Sequence, residues 1–305
     1  MYGKNVEEWL CSGKTDSYDF TKEIVNAVGE EDAIDRYVIY QATGLRGKEP
    51  QCVLEGHTVY DWEGHADGCE LLERLYELLW TDALLIPCKN NDGVITGETM
   101  NSSNTTMREL LKIEMRNGKW SIGKTVISYV EEKEHIKGAI RKYRGAEEFL
   151  RAAYTIGNFI PVPVGCNGPR GIGFTKDYWD LALNCIYEWY KANRQQLKCK
   201  VSWPKNNALC DLFTKVVLYQ DWLAAFKSWD DFVVANYMQA FVNKAGPEDE
   251  GTFGRPKELW EGHFAGKVLP ENKHQFEEFF SNATEWISQR GVQMVSALRK
   301  KESIS

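Results

Sequence analysis

The sequence is poor in the residues that most often announce chemistry. Only 5 of its 305 residues are histidine. Of its 8 cysteines, no two stand as C-x-x-C, and no histidine pair completes a zinc spacing with them. There is no G-x-S-x-G, so a Ser-His-Asp hydrolase has no support. No apolar run reaches the roughly eighteen residues of a membrane-spanning helix, and no charged-then-apolar leader opens the given sequence. Free thiols in a reducing cytosol are the simplest account of the cysteines. A cytoplasmic protein without a membrane partner is therefore expected, and the sequons at Asn101, Asn104 and Asn282 then carry no meaning. Internal repeats and low-complexity tracts are also missing.

What is present is apolar mass and aromatic rings. The apolar fraction is 43%, ample for a core, and 11 tryptophans lead us to expect that large rings dominate the packing. The net charge of −7 argues against nonspecific coating of nucleic acid, but it hides an asymmetry. Residues 1–107 hold 8 Lys+Arg and 20 Asp+Glu, a net of −12. Residues 108–151 hold 11 and 7, a net of +4, and residues 152–305 hold 18 and 17, a net of +1. The basic middle stretch either attracts phosphates or an acidic partner, or pairs with the acidic first part.

The chain is organised around residues 155–180, TIGNFIPVPVGCNGPRGIGFTKDYWD. Ile156, Phe159, Ile160, Val162 and Val164 make an apolar run of strand length. Pro161 and Pro163 lie inside it and cannot donate to a ladder, which predicts an edge strand. The glycines at 165, 168, 171 and 173, with Asn167 and Pro169, then force a turn-rich loop around Arg170. Asp177 is a good helix cap, and Asp180 stands as its acidic capping-box partner. The helix that follows, about 178–192, is apolar at Trp179, Leu183, Ile186 and Trp189 or Tyr190. Strand, glycine-rich loop and helix start can together hold an anion. The glycine pattern G-x-x-G-x-G matches neither the dinucleotide fingerprint nor the phosphate loop with its lysine. A structural turn in which Arg170 pairs with Asp177 or Asp180 is the alternative.

Elsewhere the pattern is mostly helical. Helices are expected at Val6–Leu10, Phe20–Val28, Glu31–Ala42, Gly68–Trp80 and Ala146–Ala153. Further helices are expected at Asn206–Phe226, at Trp229–Val242 behind a Ser228 cap with Asp231, from Pro256 to Phe264, and from Pro270 to about Lys300, kinked at Gly291. Short strands are expected at Cys52–Leu54 and Trp120–Val130, with a strand start at Val94–Ile95 after the turn Asn90–Gly93. The polar run around Glu98, Asn101 and Ser102 is either a helix start or the wall of a pocket. The expected fold is α+β and helix-dominated. A small mixed or antiparallel sheet is packed by long helices, and the C-terminal half is mostly helical. Residues 1–107 form an acidic part, a candidate subdomain, and residues 108–305 the main domain, unless the whole is one compact unit.

The segments TIGNFIPVPVGCNGPRG, DYWDLALNCIYEWY, WLAAFKSWDDFVVANYMQAFV and EFFSNATEWISQRGVQMV resemble a bacterial family of unknown function that also occurs on mobile elements. The likeness covers most of residues 70–298. It implies a bacterial or phage-associated intracellular protein and no particular catalytic residue. A second, local likeness is to the HNH-like nuclease domain of modification-dependent restriction enzymes. It runs through Glu134-His135-Ile136, Ile156-Gly157-Asn158, Asn167 and Phe174. That likeness implies His135 as general base, Asn158 as its orienter, and Mg2+ or Mn2+ held near Glu134 and Asn167. Asp177 and Asp180 stand where that motif has a lysine.

Three functions follow. The first is a binder of a phosphate-bearing ligand, a nucleotide or a nucleic acid, at loop 165–173. There Arg170 pairs with the phosphate, Asn167 hydrogen-bonds, and Gly171, Asp177 and Asp180 shape the site. The second is the metal-dependent nuclease. The third is an interaction or inhibitor protein of bacterium–phage conflict, with tryptophans as anchors for a protein partner.

Overall fold

A computed structural model describes residues 6–13, 15–20, 33–34, 52–54, 57–59, 70–101, 103–114, 134–165, 178–191, 216–266 and 269–302. The fold is α+β and helix-dominated, as the sequence leads one to expect. Besides the single helical turn Asp82–Leu85, its described α-helices are α1 (Val6–Cys11), α2 (Glu70–Leu79), α3 (Ser103–Glu114), α4 (134–141), α5 (Ala146–Ala152), α6 (Trp179–Lys191), α7 (Val217–Ala224), α8 (Trp229–Ala235) and α9 (Lys273–Glu302). The strands are three residues long or slightly more. They form three separate antiparallel pairs rather than one sheet: β1 (Cys52–Leu54) with β2 (His57–Val59), β3 (Gly97–Thr99) with β4 (Phe159–Pro161), and β5 (Val242–Lys244) with β6 (Phe253–Pro256).

The axis of the fold is α9, about 45 Å long at 1.5 Å per residue. Phe276, Phe279, Phe280, Ala283 and Ile287 recur at three- and four-residue spacing and are all buried. Met294 and Leu298 continue the stripe, so α9 is a core helix along most of its length. Its start lies three residues beyond Pro270. Asn272 Oδ1 accepts from the amide of Gln275 at 3.1 Å, and Gln275 Oε1 accepts from that of Glu271 at 2.8 Å. The helix packs on α5, on α2 and on the 3-10 turn Ile156–Asn158.

Gly291 does not interrupt α9. The 3-10 turn crosses the helix there, and the glycine that the crossing needs is Gly157. A Cβ on Gly157 would stand 2.0 Å from the carbonyl oxygen of Ile287 and 2.8 Å from the nitrogen of Gly291. At the same crossing Arg290 is fully buried. Its Nη1 donates to the carbonyls of Gly157 (2.8 Å) and Phe159 (2.7 Å), and its Nε to that of Asn236 (2.9 Å). Burial pushes this guanidinium down to about 9.

Three sequence expectations are corrected here. The helix from Trp229 ends at Ala235, well before Val242. Ser228 caps it as expected, its Oγ accepting from the Asp231 amide at 3.1 Å. Asn236 then closes it by donating Nδ2 to the Phe232 carbonyl, and Tyr237 takes a left-handed φ of 58°. The apolar residues Phe241 and Val242 imitate helical spacing but belong to a 3-10 turn and β5. Pro256 ends β6, and residues 257–266 are turns rather than a helix. Of the helix expected at Asn206–Phe226, residues 206–215 lie outside the described residues; Val216 is extended and the helix described runs over Val217–Ala224.

Other expectations hold. Buried Leu71, Leu72, Leu75 and Leu79 place α2 on the core. The Asn90–Gly93 turn forms with Gly93 at φ 81° and Asn90 Oδ1 accepting from the amides of Asp92 and Val94. The proline-bearing run is a strand of a two-stranded ladder, with Pro161 opposite Gly97. The strand start at Val94–Ile95 is a single bridge from Ile95 to Lys89, and β3 follows it. The helices placed at Phe20–Val28 and Glu31–Ala42, save Phe20, Ala33 and Ile34, and the strand at Trp120–Val130 lie outside the described residues.

Candidate functional site

Two asparagines build the floor of the region where β4 leads toward α6. Asn158, with no exposed surface, follows Ile156 and Gly157 in the 3-10 turn. Its side chain continues the β3–β4 ladder as a strand residue would. Oδ1 accepts from the amide of Asn101 at 2.9 Å, and Nδ2 donates to the carbonyls of Asn101 (2.9 Å) and Ala153 (2.7 Å). Its main-chain carbonyl accepts from Met100. Asn101 is thereby clamped at the end of β3, just before α3. Its own Oδ1 accepts from the amide of Trp179, the first residue of α6, at 3.3 Å.

One residue further on, Asp180 is buried at 1% exposure, and both carboxylate oxygens are occupied. Oδ1 accepts from the Leu181 amide at 2.8 Å, and Oδ2 from the Leu259 amide at 3.0 Å. Oδ2 also lies 2.6 Å from Nδ1 of His263, itself at 0% exposure. A carboxylate can only accept, so Nδ1 carries the proton of that bond. The imidazole stacks on Trp260 with centroids 3.6 Å apart, and Tyr178 meets both rings edge-on. The Tyr178 hydroxyl is 3.0 Å from Thr106 Oγ1 on α3. Glu258 takes the amides of Gly262 and Phe264, and Asn282 on α9 donates to the Leu259 carbonyl, so the turn carrying His263 is pinned at several points. Chemically, a carboxylate that fixes an imidazole is the orienting half of an acid–base pair. Here it stands inside an aromatic core.

The expected site residues separate. Asp180 is in the frame, but as a buried anchor and not as a ligand-facing acid. Asn158 is buried, with both Nδ2 hydrogens given to main-chain carbonyls. The orienting role implied by the nuclease likeness therefore gives way to a structural one. His135 and Glu134 are exposed at the described start of α4, whose buried face is Ile136, Lys137, Ala139 and Ile140. Asn167, Arg170, Gly171 and Asp177 lie outside the described residues, and of the glycine-rich loop only Gly165, at φ 84°, is inside them. Among the described residues no three His, Cys, Asp or Glu side chains gather as metal ligands. In the basic stretch, Lys112, Lys142 and Arg151 pair with Glu109, Glu114 and Glu147 of the same stretch. That local pairing reduces its outward field.

The sequence reading missed His263, Trp260 and Arg290. Their chain neighbours gave little warning, because the partners are far away: His263 and Asp180 are 83 positions apart. The faint signal was Trp260 and His263 at one-turn spacing inside an otherwise acidic and glycine-bearing segment.

The chain belongs to a family of unknown function, DUF6994, whose model matches residues 67–294. No curated protein and no solved structure matches it. No helix among the described residues is long and apolar enough to cross a membrane.

Proposed function

We propose that this chain binds a phosphate-bearing ligand, a nucleotide or a nucleic acid, where the glycine-rich loop meets the N-terminus of α6. Arg170 pairs with the phosphate, Asn167 and the amide of Gly171 hydrogen-bond to it, and the helix end favours its charge. One observation carries the reading. Asp180 stands in the first turn of α6, where an acid would repel an anion, yet both of its oxygens are turned onto protein donors. Asp180 is thus engaged inside the protein rather than offered to Arg170, which supports a guanidinium available to a ligand, while the Leu181 and Trp179 amides of that turn are already spent on Asp180 and Asn101. The same reading makes the chain a cytoplasmic protein of bacterial or phage-associated origin.

The test is ligand-dependent thermal stability. A panel of nucleoside mono-, di- and triphosphates and short oligonucleotides should include ligands that raise the melting temperature of the wild type. The gain should vanish in Arg170→Ala. No gain with any of them would contradict the reading.

A metal-dependent nuclease built on His135 is the rival, and the consumed side chain of Asn158 weighs against it. Cleavage of DNA or RNA with Mg2+ or Mn2+ that is lost in His135→Ala would reinstate it. The burial of the described tryptophans weighs against the interaction reading, while Trp62, Trp120 and Trp203 lie outside the described residues. The exposed apolar residues Ile86 and Val217 are aliphatic, each 66% exposed.

A further inference from the structure

We infer that a groove along the C-terminal half of α9 docks a short peptide with free ends and small aliphatic side chains, its ammonium at Asp16 and its carboxylate at Arg299. This site is distinct from the start of α6, and every residue that lines it lies among the described residues.

The chain after α1 meets α9 at Gly291, where an added Cβ would stand 3.5 Å from the carbonyl oxygen of Asp16. Beside that contact lies a groove of about 430 Å³. Thr15 and Asp16 line one side of it, and Val292, Val295, Ser296 and Arg299 of α9 line the other. Clefts that take small ligands measure about 300–1,000 Å³. The four α9 residues stand at i, i+3, i+4 and i+7, so they share one face of the helix. From Val292 to Arg299 that face runs about 10 Å, at 1.5 Å per residue. Val295 is buried, but Val292 is 54% exposed, so aliphatic surface is left in water on this face.

The charges of the groove have opposite sign and stay apart. Asp16 and Arg299 are both exposed, and no ion pair between described residues joins them. Asp16 belongs to the Gly291 end, and Arg299 stands about two helical turns beyond. Lys300 adds positive charge to the Arg299 end, where the two cations offset the negative pole of the helix. A ligand that meets both ends needs a cation and an anion separated by an aliphatic body. An extended peptide rises about 3.3–3.6 Å per residue, so three residues span about 10 Å. Its free termini supply the two charges. A phosphate-rich ligand fits less well, because Asp16 repels it.

The experiment is an NMR titration of the full chain with the tripeptide Ala-Val-Ala, followed at the amides of Val292, Val295 and Ser296. It is run in wild type, Asp16→Asn and Arg299→Gln, and repeated with the peptide N-acetylated and C-amidated. Wild type should show saturable shifts at those amides with the free peptide. Each capped form should bind about two- to fivefold more weakly, as loss of one exposed ion pair implies, and so should each variant. Asp16→Asn should no longer distinguish the free peptide from the acetylated one, and Arg299→Gln should no longer distinguish it from the amidated one. No saturable shift at these amides in wild type overturns the inference. Equal affinity of wild type for free and capped peptides also overturns it, since the groove would then offer apolar contact alone. The capped peptides probe both charges with the unaltered protein, so they decide the matter even if a variant fails to fold.

Discussion

At the crossing of α9 over the 156–158 turn, a guanidinium is held by three main-chain carbonyls. At the start of α6, a carboxylate is held by two main-chain amides and an imidazole. Arg290 meets the carbonyls of Gly157, Phe159 and Asn236 and, among the described residues, no carboxylate at salt-bridge distance, and burial drives it down to about 9. Asp180 meets the amides of Leu181 and Leu259 and the ring of His263. The first centre ties one long helix to a backbone that passes too close for any side chain. The second ties a helix end to the turn that carries Leu259 and His263. Each centre joins segments far apart in the chain, the first through a cation and main-chain carbonyls, the second through an acid, main-chain amides and a ring.

The sharpest way to break that contrast is at the crossing. Gly157→Ala puts a methyl carbon within 2.0 Å of the Ile287 carbonyl. It should cost about 3 kcal/mol or more in urea unfolding. Arg290→Met strands three buried carbonyls and should cost about 3–5 kcal/mol. If either variant is as stable as wild type, the crossing does not hold the fold together.

At the other centre the losses should be smaller and graded. Asp180→Ala strands the Leu259 amide and the His263 ring, an expected loss of about 2–4 kcal/mol. Asp180→Asn keeps one acceptor and should lose roughly half as much. Asn158→Leu should fall in the same range, about 2–3 kcal/mol, because three hydrogen bonds disappear together. Equal stability of Asp180→Ala and Asp180→Asn would show that the carboxylate's partners contribute nothing.

The smallest effect lies away from both centres and depends on pH. Asp249, at the tip of the β5–β6 hairpin, accepts from the Tyr187 hydroxyl at 2.5 Å and from the Gly246 amide at 2.8 Å, with Lys191 at 2.9 Å. These donors, Tyr187 first, hold its carboxyl at about 2. The folded value lies below the ordinary one. Its contribution is therefore complete above the ordinary carboxylate range and is lost as the pH falls toward 2. Asp249→Asn should lower stability at neutral pH by no more than about 1 kcal/mol. The gap to wild type should close as the medium is acidified to pH 2, measured by melting at each pH. A gap that stays constant with pH would contradict the assignment.

The local features were legible in the sequence because their physics is local. The apolar spacing of Trp179, Leu183, Ile186 and Trp189 gave α6, Ser228 gave the cap of α8, and the asparagines before Gly93 gave their turn. The charged and polar centres were not legible. Arg290 in a helix reads as a solvated residue until the crossing turn is known to cover it. Asn158 reads as a loop asparagine until its partner, 57 positions away, is in place. Of the candidate site, the sequence marked the loop and Asp180 but could not show that Asp180 faces inward onto His263.

The most direct test of ligand binding at α6 is a backbone amide NMR titration of the full chain with a nucleoside triphosphate, repeated with inorganic phosphate. The expected result is a set of saturable shifts concentrated at Tyr178, Trp179, Asp180 and Leu181. Saturation without shifts in that turn, or no shifts at all, would contradict it.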